Sequence, residues 1–409
     1  MKKIISLIVA ILMLVAIFAA CGAEEEQPSS SPSDSEETAT GPFDDVEPLD
    51  EETELDIATV TGIGYGAVVY MIDELGGFEK ANIKFDGVGQ VYGNGSTLME
   101  AVDSWGVALT GMGGMMTGTI SKGCIQTSLT SKDTGAVAFY AQKDSDLANA
   151  AISNVGGTKE LHGTTADWKD QEIYYPKGTT LHYCLALGLN KLGLDFEDIK
   201  STQMDVPSIN TAMRSGTCEV GGLWGSFTFV DDIDDLFVQV MNAKDVDCQL
   251  PCAMYWNPTF YKENYDVVLK FTELYFKCVD WIYENEDNAR AFVEKWDEWN
   301  VDCGVNVPAD VTAKYFADPD CSFYTIKEVY DLFNKTVTAT DGVEMTGFEN
   351  MTYEPLKFLI SVGSFQEGSL ETFLDDKCNG DAVKYIYENI YQGTVDSYAD
   401  VDWLDDFEY

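Results

Sequence analysis

The chain has 409 residues and a formal net charge of −45, from 70 acidic and 25 basic side chains. That excess argues against nucleic acid and polybasic membrane attachment, and the inventory of two arginines (Arg214, Arg290) and two histidines (His162, His182) nearly excludes an arginine cluster or a three-histidine metal site. The body after residue 55 is too long for one ordinary core and suits two lobes.

Residues 1–20 begin with Lys2 and Lys3, continue as an unbroken apolar run from Ile4, and end in Ala19-Ala20 before Cys21. A basic start, a short apolar run and small residues before the cut make a secretory signal. With cysteine directly after the small pair, the segment resembles a bacterial lipoprotein signal, which implies cleavage before Cys21 and lipid modification of Cys21. The competing reading, a plain transmembrane anchor, lacks basic flanking residues, since an acidic Ser/Pro-rich stretch follows. The expectation is an exported protein anchored by lipid to the outer face of the cytoplasmic membrane. Residues 21–55 carry no Lys or Arg and few apolar side chains, so they read as a disordered acidic tether.

Strand-like and helix-like segments then alternate. Leu55–Thr61 is a strand, Gly62–Ala67 a turn, and Val68–Leu75 a helix. Ile83–Val88 and Gly106–Thr110 are further strands, with helices opening at Gly93–Thr97 and Gly111–Met115. Gln126–Ser131 and Ala136–Ala141 can be strands. The pattern restarts with the strand Glu172–Tyr175, the helix Leu181–Leu192, strand-like Ser201–Val206, a helix opened by Ser208 and the strand Glu219–Trp224. After Asn257-Pro258 the chain looks helical, with periodic apolar positions in Val268–Tyr283, Ala289–Trp299 and Ile326–Phe333. This β-α-β-α order predicts mainly parallel sheets with helices on both faces.

Within the second unit the residues Tyr175-Pro-Lys-Gly-Thr-Thr-Leu-His-Tyr183, Leu187-Gly-Leu-Asn-Lys-Leu-Gly-Leu194, Asp205–Val220 and Leu223-Trp224 resemble the solute-binding proteins of ABC importers, specifically the nitrate/sulfonate/taurine group. Gly76–Lys80 and Gly95-Ser96-Thr97 match the first lobe of that group more loosely. The resemblance implies an α/β, two-lobed periplasmic-binding-protein-like (type 2) fold with a central cleft, here with a helical C-terminal extension. It implies a small-molecule ligand, a permease and an ATPase as partners, and no catalysis. The ligand expected is a sulfonate, nitrate or taurine-like compound; an aromatic precursor such as hydroxymethylpyrimidine, or a surface lipoprotein without transport, is the alternative. Departures lie at Gly225-Ser226-Phe227, where the group often has an acidic residue and proline, and in the Gly/Met-rich loop Gly111–Thr119. The expected lobes are residues 56–140 plus 257–409 and residues 141–256, with hinge crossovers near Phe139–Ala141 and Tyr255–Pro258. The protein is expected to be a monomer without metal or cofactor.

Ligands of open α/β sheets bind where strands end and helices begin. A helix start offers unsatisfied N–H groups and a partial positive charge. Such starts, with the aromatic side chains beside them, nominate Tyr65, Gly66, Ser96, Thr97, Gly113, Gly114, Thr179, Thr180 and Trp224 as ligand contacts. Each has a plain alternative: Thr179-Thr180 as a helix cap, Trp224 as a core residue. Trp105 and Trp256 can line the cleft or sit in cores, Met112, Met115 and Met116 read more readily as core, and His182 reads as a packing or hydrogen-bonding residue at a helix start rather than a base. No GxSxG, HExxH or P-loop is present. Nine cysteines besides Cys21 stand at irregular spacings, and they read best as buried thiols.

Overall fold

The strands that build the molecule are short and mostly buried on both faces, as expected when helices cover both sides of a parallel sheet. In a computed structural model, residues 41–366, 368–374 and 377–407 are described. The signal segment, Cys21 and the first part of the proposed tether lie outside them. Ten strands form two five-stranded sheets: β1 (Ile57–Val60), β2 (Gln90–Tyr92), β3 (Val107–Gly111), β4 (Ile125–Lys132), β5 (Val137–Gln142), β6 (Glu172–Tyr175), β7 (Lys200–Gln203), β8 (Val220–Trp224), β9 (Phe237–Asn242) and β10 (Pro251–Trp256). The first sheet has the order β2-β1-β3-β10-β4 and the second β7-β6-β8-β5-β9.

Each sheet is parallel except for one inserted strand. In the first, β10 runs antiparallel to both β3 and β4. In the second, β5 runs antiparallel to β8 and β9. These are the two strands that arrive from the other sheet. A chain leaving one sheet at its carboxyl edge and crossing directly enters the other from that same edge, and so runs against its neighbours. The register shows it: Val137, at the start of β5, pairs with Trp224 at the end of β8, and Cys252, near the start of β10, pairs with Gly111 at the end of β3.

The crossovers are therefore residues 133–136 and 243–250, not 139–141 and 255–258. Phe139–Ala141 lie inside β5, and Tyr255 and Trp256 inside β10. Residues 137–140, assigned from sequence to the first lobe, belong to the second sheet, and 251–256 belong to the first. A continuous apolar run hides where a strand changes sheet, because both sheets demand the same composition. The two crossovers are tied together by Asp133 N–H donating to Leu250 O at 2.9 Å and Leu250 N–H donating to Thr134 Oγ1 at 3.2 Å.

Residues 41–55 are not a tether. Phe43, Val46, Leu49 and Leu55 are buried against the first lobe. Leu49 N–H donates to Ala81 O, and Thr53–Glu54 pairs in parallel with Ile83–Lys84. The buried Lys277 holds Asp45 and Glu273. The acidic composition masked three apolar residues at three-residue spacing. Burying each contributes about 1.5–3 kcal/mol, enough to offset ordering a short segment. Ile83–Val88, read as one sheet strand, supplies only the Ile83–Lys84 pairing, and β2 takes the place beside β1.

The helices that matter for the cleft are α1 (Gly64–Glu74), α2 (Gly95–Glu100), α3 (Met112–Thr117), α4 (Thr180–Lys191), α5 (Val206–Arg214), α6 (Tyr265–Glu284), α7 (Glu286–Asp302) and α8 (Ala309–Ala317). α6 and α7 are amphipathic and bury Phe271, Tyr275, Phe292, Trp296 and Trp299. α5 starts at Asp205, whose carboxylate accepts from Ser208 N–H at 2.9 Å, three residues ahead of the start expected from sequence. Trp105, Trp256, Met112 and Met116 are core residues. The indole N–H groups of Trp105 and Trp256 are spent on Leu98 O and Thr127 Oγ1.

Candidate functional site

The carboxyl ends of the two sheets face each other, and between them lies a cavity of about 30 Å³. The first lobe contributes Val60 at the end of β1, Ile63 and Tyr65 at the start of α1, and Gly95, Gly113 and Gly114 at the starts of α2 and α3. Thr110 and Gly111 close β3 at the same edge. The second lobe contributes Thr179, Thr180 and Trp224, and the crossover contributes Asp133.

Close backbone approach requires glycine at two points. A Cβ on Gly113 would stand 2.2 Å from Thr179 Cα and 2.3 Å from Gly178 O. Gly178 itself has φ +71°, which L side chains rarely adopt, and a Cβ there would meet Ser96 Oγ at 2.8 Å. The lobes thus touch along Gly113 and Gly178, joined by Ser96 Oγ–H donating to Gly178 O at 2.9 Å.

Two helix starts aim at the cavity without side-chain caps. Ile63 precedes α1 and has no capping side chain. Thr179 precedes α4, but its hydroxyl donates to Pro176 O at 2.7 Å and does not cap. Among the described residues the Thr180 hydroxyl has no hydrogen-bond partner, and its methyl group faces Gly111 across the cleft. Elsewhere Asn94, Asp205, Asn257, Asn285, Thr325 and Thr346 do cap their helices. The first N–H groups of α1 and α4 therefore remain available as donors to an acceptor in the cavity.

His182 serves the turn. Gly178 N–H donates to His182 Nδ1 at 3.2 Å, and the ring stacks on Tyr175. Burial, helped by Lys177, pushes its pKa down to about 4, so it is a neutral acceptor that holds Gly178 in place.

Six of the nine residues nominated from sequence meet at the cavity: Tyr65, Gly113, Gly114, Thr179, Thr180 and Trp224. Three do not. Gly66 is buried in α1 where a Cβ would strike the Trp299 ring at 2.5 Å, so its smallness serves helix packing. Ser96 is the interlobe bridge already described. Thr97 hydrogen-bonds Asn94. Ser96 and Thr97 instead line an outer pocket of about 560 Å³ with Pro176, Lys177 and Asp205 at the cleft mouth. Sequence reasoning missed Val60, Ile63, Thr110 and above all Asp133, an aspartate that looks like an ordinary turn residue in Ser-Lys-Asp-Thr-Gly.

Asp133 is the one charged side chain on the cavity wall, and it is 3% exposed. Its Oδ1 accepts from the Tyr315 hydroxyl at 3.0 Å; Tyr315, on α8, is itself stacked on Phe229 and packed on Trp296. Burial raises the Asp133 pKa to about 7 against the Tyr315 hydrogen bond, which lowers it. No arginine, lysine or histidine lines the cavity. Among the described residues no cluster of three or more His, Cys, Asp or Glu could hold a metal, and no helix is long and apolar enough to cross a membrane. The nine described cysteines are unpaired.

No family model and no curated protein sequence matches the chain. Solved structures do. The aliphatic sulphonate binding protein SsuA of Escherichia coli is 14% identical, with a TM-score of 0.57 over 78% of this chain and 96% of that one. The nitrate-binding protein NrtA of Synechocystis is 11% identical, with a TM-score of 0.58 over 84% and 90%. The Candida albicans CA3427 gene product, described as having the generic periplasmic binding protein fold, is 9% identical, with a TM-score of 0.55 over 80% and 96%. At such identities the likeness establishes architecture. The chain has the two-lobed periplasmic-binding-protein fold, of the type shared by sulfonate- and nitrate-binding proteins.

Proposed function

We propose that this chain is the solute-binding component of an ABC importer, capturing a compact solute between its lobes and presenting it to a permease and its ATPase. The observation that carries this reading is the cavity itself. It lies where the carboxyl ends of both sheets converge, and it is walled by two uncapped helix starts, glycines in backbone contact and Trp224. Tyr65, Gly113, Gly114, Thr179, Thr180 and Trp224 are the contacts. The polar head of the solute rests on the Thr180 hydroxyl and the N–H groups of α1 and α4, under Trp224. The hydroxyls and uncapped helix N–H groups on the cavity wall suit the polar head of a small sulfonate, nitrate or taurine-like compound. The wall holds hydroxyls and one acid but no nucleophile paired with a base, which suits binding rather than catalysis. Cys21 is the lipid attachment site in this reading and keeps the body at the outer face of the cytoplasmic membrane.

A thermal-shift screen of small sulfonates, amino acids, oxyanions and amines identifies the solute; a ligand at 100 times its dissociation constant adds about 2.7 kcal/mol of stability. The Thr180→Ala variant is then compared with the wild type by calorimetry. A lost hydroxyl contact to a charged group costs about 1.5–3 kcal/mol, so affinity falls about ten-fold or more. The melting temperature should stay near that of the wild type, because the hydroxyl has no partner among the described residues. Unchanged affinity for the identified solute removes Thr180 from the site.

A further inference from the structure

Nothing in a site for a simple anion requires a buried acid. Asp133 nonetheless lies in the cavity wall, at the first residue after β4, with one oxygen held by Tyr315 and the other, Oδ2, without a hydrogen bond among the described residues. The groups that face Asp133 from the elements packed around it are Tyr65, Tyr315, Cys252 and Cys321. Burial pushes all four up, so each is neutral at pH 7, and none can neutralise the carboxylate. A buried carboxylate without a cation is costly, and it is repaid when a cation arrives with the ligand. Around the same cavity, the N–H groups at the starts of α1 and α4 offer the complementary charge.

We propose that Asp133 is the recognition residue for a protonated amine, and that the solute is a small zwitterion. Its ammonium sits on Asp133 Oδ2 and its acid group on the starts of α1 and α4. This rests on the cleft reading above and narrows it: oxyanions and alkanesulfonates without a nitrogen are not the physiological cargo.

The test uses pairs of probes that differ only by an ammonium for a methyl group. Taurine and 1-propanesulfonate are one pair; β-alanine and butyrate are another. The expected result is that the ammonium member binds at least about ten-fold more tightly. In Asp133→Asn the preference should vanish, through a loss of about ten-fold or more for the ammonium member and little change for its partner. Wild-type protein gives an independent readout. Affinity for the ammonium member should fall about ten-fold per pH unit below pH 7, as Asp133 takes up its proton, while affinity for the methyl member should not fall. Equal binding within pairs, or an Asp133→Asn variant that keeps the preference, overturns the amine assignment but leaves the cleft reading intact. A panel in which no member of either pair binds also overturns it, and the cleft reading then depends on the wider solute screen.

Discussion

Asp133 shows why a single residue can be placed against the interest of the fold. Its pKa is raised from the ordinary carboxyl value of 3.8 to about 7. Below pH 3.8 the group is protonated in both folded and unfolded chains and has no effect on stability. Between pH 3.8 and 7 the unfolded chain has released the proton while the folded chain still holds it, so stability falls as pH rises. Above pH 7 the full penalty is present, up to about 4 kcal/mol. Asp133→Asn should therefore melt higher than the wild type at pH 8 and show no advantage at pH 3.5. Chemical denaturation at the two pH values reads this directly, and a variant less stable at pH 8 would show that Asp133 is structurally satisfied. His182 is displaced in the opposite sense. As a neutral buried imidazole with its pKa near 4, it supports the fold above pH 6.5 and costs stability as pH falls toward 4. Asp133 is polar where the fold wants none; His182 is kept neutral because the turn needs an acceptor.

At the level of elements, residues 41–55 and the crossovers carry the finding. A stretch that composition marks as solvated is pinned to the first lobe by Phe43, Val46 and Leu49. Phe43 packs on Gly77, where a Cβ would meet its ring at 2.7 Å. Phe43→Ala should lower stability by about 3–5 kcal/mol, measured by denaturant titration of the soluble body; a change below 1 kcal/mol would return the segment to a tether. The helix starts were legible because Gly and Thr clusters after apolar runs are local signals. The crossovers were not, since β4 and β5, or β9 and β10, look alike whichever sheet receives them. Asp133 went unnoticed for that reason: it is in the cleft because it is in a crossover, and both crossovers lie at the carboxyl edge.

At the scale of the whole molecule, the lobes are drawn together by contacts that none of the sheets requires. Ser96 reaches Gly178, Lys314 pairs with Asp231, Lys244 pairs with Asp320, and Tyr183 meets Phe358. This is a closed arrangement held by few bonds, two of them exposed ion pairs of the kind that contribute little. The two crossovers, tied through Asp133 and Leu250, are the natural axis for opening. Small-angle scattering should show a larger radius of gyration without ligand than with the identified solute at saturation. An unchanged profile with proven binding would mean that the lobes do not part.

Local pattern alone was enough to read two α/β units followed by a helical tail. That glycine- and threonine-bearing helix starts would face a cleft came from the general rule for open α/β sheets together with the resemblance in residues 175–224. Those features depend on interactions a few residues long, such as period-two and period-3.6 burial, turn chemistry and unsatisfied helix N–H groups. Only the tertiary structure decided which glycine lines the cavity and which meets a tryptophan, as Gly113 and Gly66 show. It also decided that Phe43 joins the core, that the crossovers lie at 133–136 and 243–250, and that an aspartate from one crossover faces the helix starts of both lobes. These depend on partners far apart along the chain, Gly66 with Trp299 and Asp133 with Tyr315, and close approach between such residues is a property of packing that leaves no local trace.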